Sequence, residues 1–365
     1  MTAFAERISD IPEVFDAVRG RDVLATARKA LIESGTDPET VDKCLSGKTG
    51  ALLTAVFSAS SYLASLSTRH PDLLIASLNP DPEAALVDAC AQLDAAMADA
   101  SSINQALSAL RHFKQLSALL TALADISGIW TTEETLKGLS DAADAAVGAA
   151  VRYLFRQAYE KGEVTSDDPH GYFVIAMGKL GAKELNYSSD VDFIVFYDPD
   201  RARLAAPDEA SAFFVKITRD LVRLLQEQTK DGYVYRTDLR LRPDPGATQI
   251  ALSVDAGLTY YESIGQNWER AALIKARIAA GDTLAGQKFL EQLSPFIWRR
   301  YLDFAAVADI HAMKRRVHAH KGHGEIAVGG HDIKLGRGGI RDIEFFVQTQ
   351  QLIAGGRHPE LRTRG

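Results

Sequence analysis

At 365 residues the chain is too long for one small domain and long enough for two or three that each bury a core. Hydrophobic residues at 46% and charged residues at 24% exclude a disordered chain, while 41 basic against 48 acidic side chains, a net −7, argue against bulk attraction to nucleic acid or anionic lipid. Cys44 and Cys90 are the only cysteines, which rules out a disulfide scaffold and a cysteine-type zinc site and fits a reducing compartment, with the cytoplasm expected.

The opening stretch MTAFAERISDIPEV carries acids where a signal peptide needs a basic region and an apolar run, so export is not expected. Ala51 to Leu66 is the most apolar stretch, but it is short of a membrane span and holds Ser58, Ser60, Ser61 and Ser65. A buried helix is expected there, with no membrane association. From about residue 20 to 160 alanine-rich amphipathic segments are broken by cap signals such as Asn79-Pro80-Asp81-Pro82 and Thr131-Thr132-Glu133-Glu134, which predicts a helical bundle. Composition changes between Lys161 and Gly171, where Asp167-Asp168-Pro169 precedes a first strand at Tyr172 to Met177.

A glycine-containing turn leads to a second strand, Asp190 to Tyr197. A helix follows over Asp208 to Thr229, with Phe213, Phe214, Ile217, Leu221, Leu224 and Leu225 on one face, and then a third strand over Tyr233 to Leu241. After about residue 255 helical periodicity returns, interrupted by a Gly- and His-rich stretch from His318 to Gly339. The expected fold is α+β and predominantly helical, with a helical region over 1–165, a small mixed sheet with helices over 166–285, and a second helical region over 286–365. The last region ends soon after the apolar Ile343-Glu344-Phe345-Phe346-Val347 with nothing to cover it, so the chain is expected to be truncated.

The chemistry concentrates in the stretch from Met177 to Asp192. Side chains on a strand alternate, so Asp190 and Asp192 point one way while Val191, Phe193 and Val195 enter the core. Two carboxylates about 7 Å apart along a strand repel by about 2 kcal/mol at a protein-surface dielectric, unless positive charge sits between them. Magnesium suits that position, because it prefers carboxylates, water and phosphate oxygens. A bare Asp-x-Asp also occurs in solvated turns. Here the pair opens the apolar strand DVDFIVF, and it follows a Gly178/Gly181 turn whose backbone amides can approach a phosphate closely.

The third strand repeats the logic, showing Val234, Arg236, Asp238, Arg240 and Arg242 on one face and Tyr235, Thr237, Leu239 and Leu241 on the other. Such alternation alone describes any solvent-facing strand. An acid flanked by arginines beside a paired-Asp strand, however, is what a third metal ligand next to a phosphate clamp requires, and Asp238 is that candidate. Three acids on adjacent strands suit two-metal phosphoryl or nucleotidyl transfer. Elsewhere, Arg337-Gly338-Gly339-Ile340-Arg341-Asp342-Ile343-Glu344 fits a phosphate-binding helix start and equally a loop tied to the core by Arg341 and Glu344. For His311, His318, His320, His323 and His331 a solvated loop is favoured over a metal site. Trp268 is expected in the core, with Glu269 a candidate to face the site.

GKLGAKELNYSSDVDF resembles the signature of the glutamine synthetase adenylyltransferase and adenylyl-removing enzyme family, within the DNA polymerase β-like nucleotidyltransferase superfamily. SSYLASLSTRHPDLL near residue 60, YRTDLRLRP, GQNWERAALIKARIAAGD from Gly265 and KLGRGGIRDIEFFVQ from Lys334 are similar to the same family, so the likeness runs over nearly the whole chain. Ala182 stands where a glycine is common, and Leu116 to Leu123 is less basic than usual. Neither departure touches the acids.

The resemblance places the metal-ligand motif on Asp190, Asp192 and Asp238, and with it a nucleotidyltransferase core over 166–285. Family members carry two such domains in tandem. A single signature behind a helical region of this length resembles the N-terminal, AMP-removing half. The implied reaction is phosphorolysis of adenylylated glutamine synthetase, in which phosphate attacks the tyrosine-linked AMP and releases ADP. Lys179 and the amides near Gly178 are then expected to hold a phosphate, and Ser188 or Ser189 to add a hydrogen bond. Arg236, Arg240, Lys275 and Arg277 are the candidates to neutralise the incoming anion. PII signalling protein and glutamine are the implied regulators of the full-length enzyme. The alternatives are ATP-dependent adenylylation by the same acids and a non-catalytic nucleotide-binding module, the latter disfavoured by the presence of all three acids.

Overall fold

Helix formation in the first 160 residues follows from caps and apolar faces. The structure, a computed structural model, describes residues 4–300 and 330–365. Nine helices come first among the described residues: α1 (Phe4–Arg7), α2 (Ala17–Glu33), α3 (Pro38–Leu45), α4 (Gly47–Ala59), α5 (Ser61–Arg69), α6 (Pro71–Ser77), α7 (Pro82–Asp99), α8 (Ile103–Ile126) and α9 (Thr132–Glu160). Their starts are fixed by side chains that accept from otherwise unpaired amides: Asp16 before α2, Asp37 before α3, Ser60 before α5, Asp81 before α7 and Ser102 before α8.

The single buried helix expected over Ala51 to Leu66 is two helices. Ser60 adopts an extended backbone and caps Leu63, so α4 and α5 meet at a bend of 119°. No single helix among the described residues is long and apolar enough to cross a membrane.

The chain divides into two compact units built from separated segments. One comprises Met1–Leu154, Lys183–Asp190 and Asp220–Arg236, and the other Phe155–Ala182, Val191–Arg219 and Thr237–Gly365. In the first unit buried Arg111 holds residues 224–232 by donating to the carbonyls of Gly232 (2.8 Å), Leu224 (3.3 Å) and Glu227.

The second unit holds a small mixed sheet of β1 (Tyr172–Ala176), β2 (Val191–Tyr197), β3 (Thr237–Asp238), β4 (Ala251–Ser253) and β5 (Arg277–Gly281). Its order is β3-β2-β1-β5, with β4 also pairing with β2. β1 and β2 run antiparallel from Tyr172↔Tyr197 to Ala176↔Phe193, and the short α10 (Gly178–Gly181) lies between them in sequence. Every residue of β1 is buried, because both faces are covered. On one face Phe214 of α11 (Ala210–Gln226) stacks on Tyr172 and Tyr197, with ring centroids 5.8 and 4.5 Å apart. On the other, Phe289 of α14 (Thr283–Ile297) packs against Phe173 and Phe196 at 5.7 and 4.4 Å. Between β4 and α14 in sequence lie α12 (Val254–Ser263), α13 (Asn267–Leu273) and β5.

The nine-residue strand expected over Tyr233 to Leu241 is reduced to Thr237–Asp238. Val234 and Tyr235 are both buried, so the residues before β3 do not alternate, and Val234 and Tyr235 donate their amides to Leu225 rather than to a ladder. Of the Gly- and His-rich stretch, residues 318–329 lie outside the described residues, as do His311, His318, His320 and His323. A last helix runs from Ile340 to Ala354.

Candidate active site

The site is built where β1 ends. Gly178 takes a left-handed backbone, φ +52°, and starts α10. A Cβ there would stand 2.7 Å from Asp192 Oδ2, so only glycine lets this turn lie against the carboxylate. Gly181 is equally constrained, since a Cβ would sit 2.0 Å from the Lys275 carbonyl. The Met177 amide donates to the Asp192 carbonyl at 2.9 Å, which ties the turn to the strand bearing the acid.

The segment leading into β2 is anchored within the first unit. Lys183, itself at φ +63°, reaches Asp144 at 2.6 Å and also pairs with Asp141. The Leu185 amide donates to Ser140 Oγ at 3.1 Å, and the Tyr187 hydroxyl donates to Asp125 at 2.7 Å. These anchors lie close before Asp190 in the chain. Their partners on α8 and α9 are remote in sequence, and no local pattern marks them.

Asp192 and Asp238 are register partners on parallel β2 and β3, which sets their backbones about 4.8 Å apart. Asp190 is exposed and directly precedes β2, while the other two acids are half-buried. Each of the three offers a carboxylate oxygen within 4.8 Å of the others. At an effective dielectric of about 20 each pair of charges repels by about 3 kcal/mol at that range. A hard divalent cation relieves that repulsion, and an all-oxygen donor set suits magnesium or a similar ion. The donor set therefore fits the expected metal. It is the only such group of acids and histidines among the described residues.

Asp238 already has a cation. Arg240 forks onto it with Nε at 3.0 and 2.9 Å from the two oxygens, Nη2 also bonded, and the Arg240 amide at 2.8 Å. These bonds hold the Asp238 carboxyl below its ordinary range, so it stays ionised in moderate acid. Arg236 is exposed, donating to the Ser188 carbonyl at 2.5 Å and the Tyr233 hydroxyl at 2.9 Å. Ser188 is exposed and Ser189 half-buried, immediately before Asp190. Lys179 is half-buried on α10.

Two further candidate anion ligands have partners within the fold. Lys275 is buried and donates to Glu344 at 2.7 Å, and Arg277 donates to the Leu180 carbonyl at 2.9 Å, so both hold packing around α10 and the last helix. Glu344 thus ties the helix that starts at Ile340 to Lys275, while Arg341 is exposed. Trp268, expected in the core, is half-buried, whereas Glu269 is buried and accepts from the Gln266 amide at 2.7 Å in a capping box. Burial pushes the Glu269 carboxyl up, and its bond to the Gln266 amide makes it a helix cap.

Residues 50–292 match the family model described as glutamate-ammonia ligase adenylyltransferase. The chain belongs to this family. Residues 309–364 also match the model described as PII-uridylyltransferase. Among relatives of the adenylyltransferase family, the chain is 50% identical over 96% of its length to the bifunctional glutamine synthetase adenylyltransferase/adenylyl-removing enzyme of Mesorhizobium japonicum. It is 52% identical over 86% of its length to that of Rhizobium meliloti, and 45% identical over 98% to that of Agrobacterium fabrum. The chain spans about a third of these relatives, covering 36%, 33% and 37% of their lengths. In the adenylyltransferase family a nucleotidyl group is transferred, and the Asp190, Asp192 and Asp238 cluster has the donor set for the divalent ion such a transfer uses.

Proposed function

We propose that this chain removes AMP from the adenylylated tyrosine of glutamine synthetase by phosphorolysis, yielding ADP and the unmodified enzyme. The observation that carries this reading is the meeting of Asp190, Asp192 and Asp238 on β2, β3 and the residue before β2, in a chain of the adenylyltransferase family. The relatives' names cover both attachment and removal of the adenylyl group, and the resemblance to the AMP-removing half favours removal.

A divalent ion held by the three carboxylates would supply Lewis-acid charge to the phosphoryl oxygens and to the departing tyrosyl oxygen. An oxygen of inorganic phosphate forms a bond to the α-phosphorus, the bond from phosphorus to the tyrosyl oxygen breaks, and the tyrosyl oxygen takes up a proton. A phenol with a pKa of about 10 is a tolerable leaving group. The chain's own groups bind and orient: Lys179 and the amides near Gly178 hold the phosphoryl group, Ser188 or Ser189 adds a hydrogen bond, and Arg236 and Arg240 attract the incoming phosphate. Arg277 supports this arrangement by holding α10, and Lys275 by pairing with Glu344 of the last helix. The reaction belongs in the cytoplasm, under control of PII and glutamine in the full-length protein.

The test is to incubate the chain and magnesium with adenylylated glutamine synthetase and identify the nucleotide released. Phosphate should give ADP, and Asp190→Asn or Asp192→Asn should abolish release with the circular dichroism spectrum unchanged. Release only with pyrophosphate, as ATP, would reassign the chain to attachment, and full turnover by both variants would remove the acids from the reaction.

A further inference from the structure

The first unit contains a cavity of about 760 Å³ of which the reaction as described uses only the edge formed by Ser188, Ser189 and Arg236. Its wall includes Tyr62 and Arg69, from the SSYLASLSTRHPDLL stretch that resembles the family yet lies far from the acids in sequence. Lys114 of α8 faces the same space with its Nζ 4.2 Å from the centre of the Tyr235 ring. Ser188 and Ser189 complete the wall on the side that runs directly into Asp190.

Three properties of this cavity restrict its ligand. Four cations line it, Arg69, Lys114, Lys230 and Arg236, against two acids, Asp125 and Asp231. Asp125 is engaged by Tyr187 and Thr135, so the excess is positive. Lys114 has no carboxylate or hydrogen-bond acceptor among the described residues, only the ring of Tyr235. An ammonium kept in a partly desolvated wall without an anion is a cost that folding alone does not require. Tyrosines 62, 187, 233 and 235 also line the space, and flat amphipathic rings with hydrogen-bonding tips suit a purine and a ribose. The volume lies within the range that encloses a small ligand.

The geometry points to this cavity as the pocket for an adenine nucleotide: the adenosine of the tyrosine-linked AMP, and then of the ADP product. Its phosphates lie toward Ser188, Ser189 and Arg236, and its purine toward Tyr62, Lys114 and Tyr235. The orientation follows from chain connectivity, since Ser189 adjoins Asp190. This assignment rests on the nucleotidyl-transfer reading, and it makes the α5 and α8 surfaces part of substrate recognition.

The test is calorimetric titration of the chain with ADP in the presence of EDTA, which separates the cavity from the divalent site. ADP should bind, and Lys114→Met and Tyr62→Ala should each weaken it about tenfold or more. Lys114→Arg and Tyr62→Phe should retain most of the affinity, so a loss that follows charge and ring cannot be ascribed to misfolding. Adenosine should compete with ADP. The proposal is overturned if ADP does not bind without metal, if Lys114→Met and Tyr62→Ala bind it as the parent does, or if inorganic phosphate alone reproduces its affinity. ADP binding to the cavity in a chain that fails to release nucleotide from adenylylated glutamine synthetase would sink the phosphorolysis reading and leave the pocket standing. Turnover with no ADP binding in the cavity would do the reverse.

Discussion

Gly178 and Asp192 share one small volume: a Cβ on Gly178 would stand 2.7 Å from Asp192 Oδ2, with the glycine at φ +52°. The turn after β1 and the acid on β2 are therefore one device. Gly178→Ala forces either the backbone or the carboxylate to move, at a backbone cost of about 1–2 kcal/mol. We expect turnover to fall about a hundredfold, as misplacement of a reacting group by an ångström does. Denaturant unfolding should show only the modest backbone cost. Wild-type turnover in a folded Gly178→Ala variant would dissociate the turn from the chemistry.

Arg240 occupies both oxygens of Asp238, for which a divalent ion held by the three acids would compete. Arg240→Gln should tighten manganese binding severalfold, measured by electron paramagnetic resonance, while raising the phosphate concentration needed for half-maximal rate. The Asp238 carboxyl should also titrate closer to its ordinary value in that variant, because the hydrogen bond from Arg240 is the largest influence lowering it. Below its depressed pKa the wild-type carboxylate is lost, so metal binding should persist to lower pH in the wild type than in Arg240→Gln.

Desolvation pushes the Lys114 ammonium down to about 8 from 10.5, amid Tyr62, Tyr235, Arg69, Lys230 and Asp231 around the cavity. Between those values the unfolded chain holds a proton that the native state has given up, so stability rises with pH from about 8. Cys90 acts in the opposite sense, since burial raises its thiol to about 11 from 9.0 and stability falls as pH passes 9. Urea unfolding should therefore show a gain between pH 8 and 9 that flattens above it. Lys114→Met should abolish the gain and stabilise the protein at pH 7 by up to about 3 kcal/mol, the equivalent of the shift. A variant that is more stable yet binds ADP poorly would mark Lys114 as retained for ligand binding.

Lys183 bridges to Asp141 and Asp144 and thereby fixes the segment entering Asp190. A double-mutant cycle between Lys183→Met and Asp144→Asn should give a coupling of about 1 kcal/mol in unfolding free energy, modest because the lysine side chain is partly exposed. Zero coupling would show that the ion pair does not hold the segment.

What sequence alone determined is what repeats locally. YFVIA and DVDFIVF are strands because unbroken or alternating apolar residues fix their faces, and Asp190 and Asp192 were legible because they lie two residues apart. Alternation alone also points to Asp238, but for a partly wrong reason: the residues from Val234 onward do not form a strand, and only the pairing of Asp238 with Asp192 brings it beside the other two acids. The packing of distant segments decided the rest. Arg240 turning onto Asp238, Lys275 reaching Glu344, the anchoring of Lys183 on α9, and the meeting of Tyr62 with Lys114 and Tyr235 depend on groups that no local periodicity relates. A strand's period is set by its own backbone. Where a charged side chain finds its partner is set by the whole fold, because only there are the competing acceptors, and the water each replaces, defined.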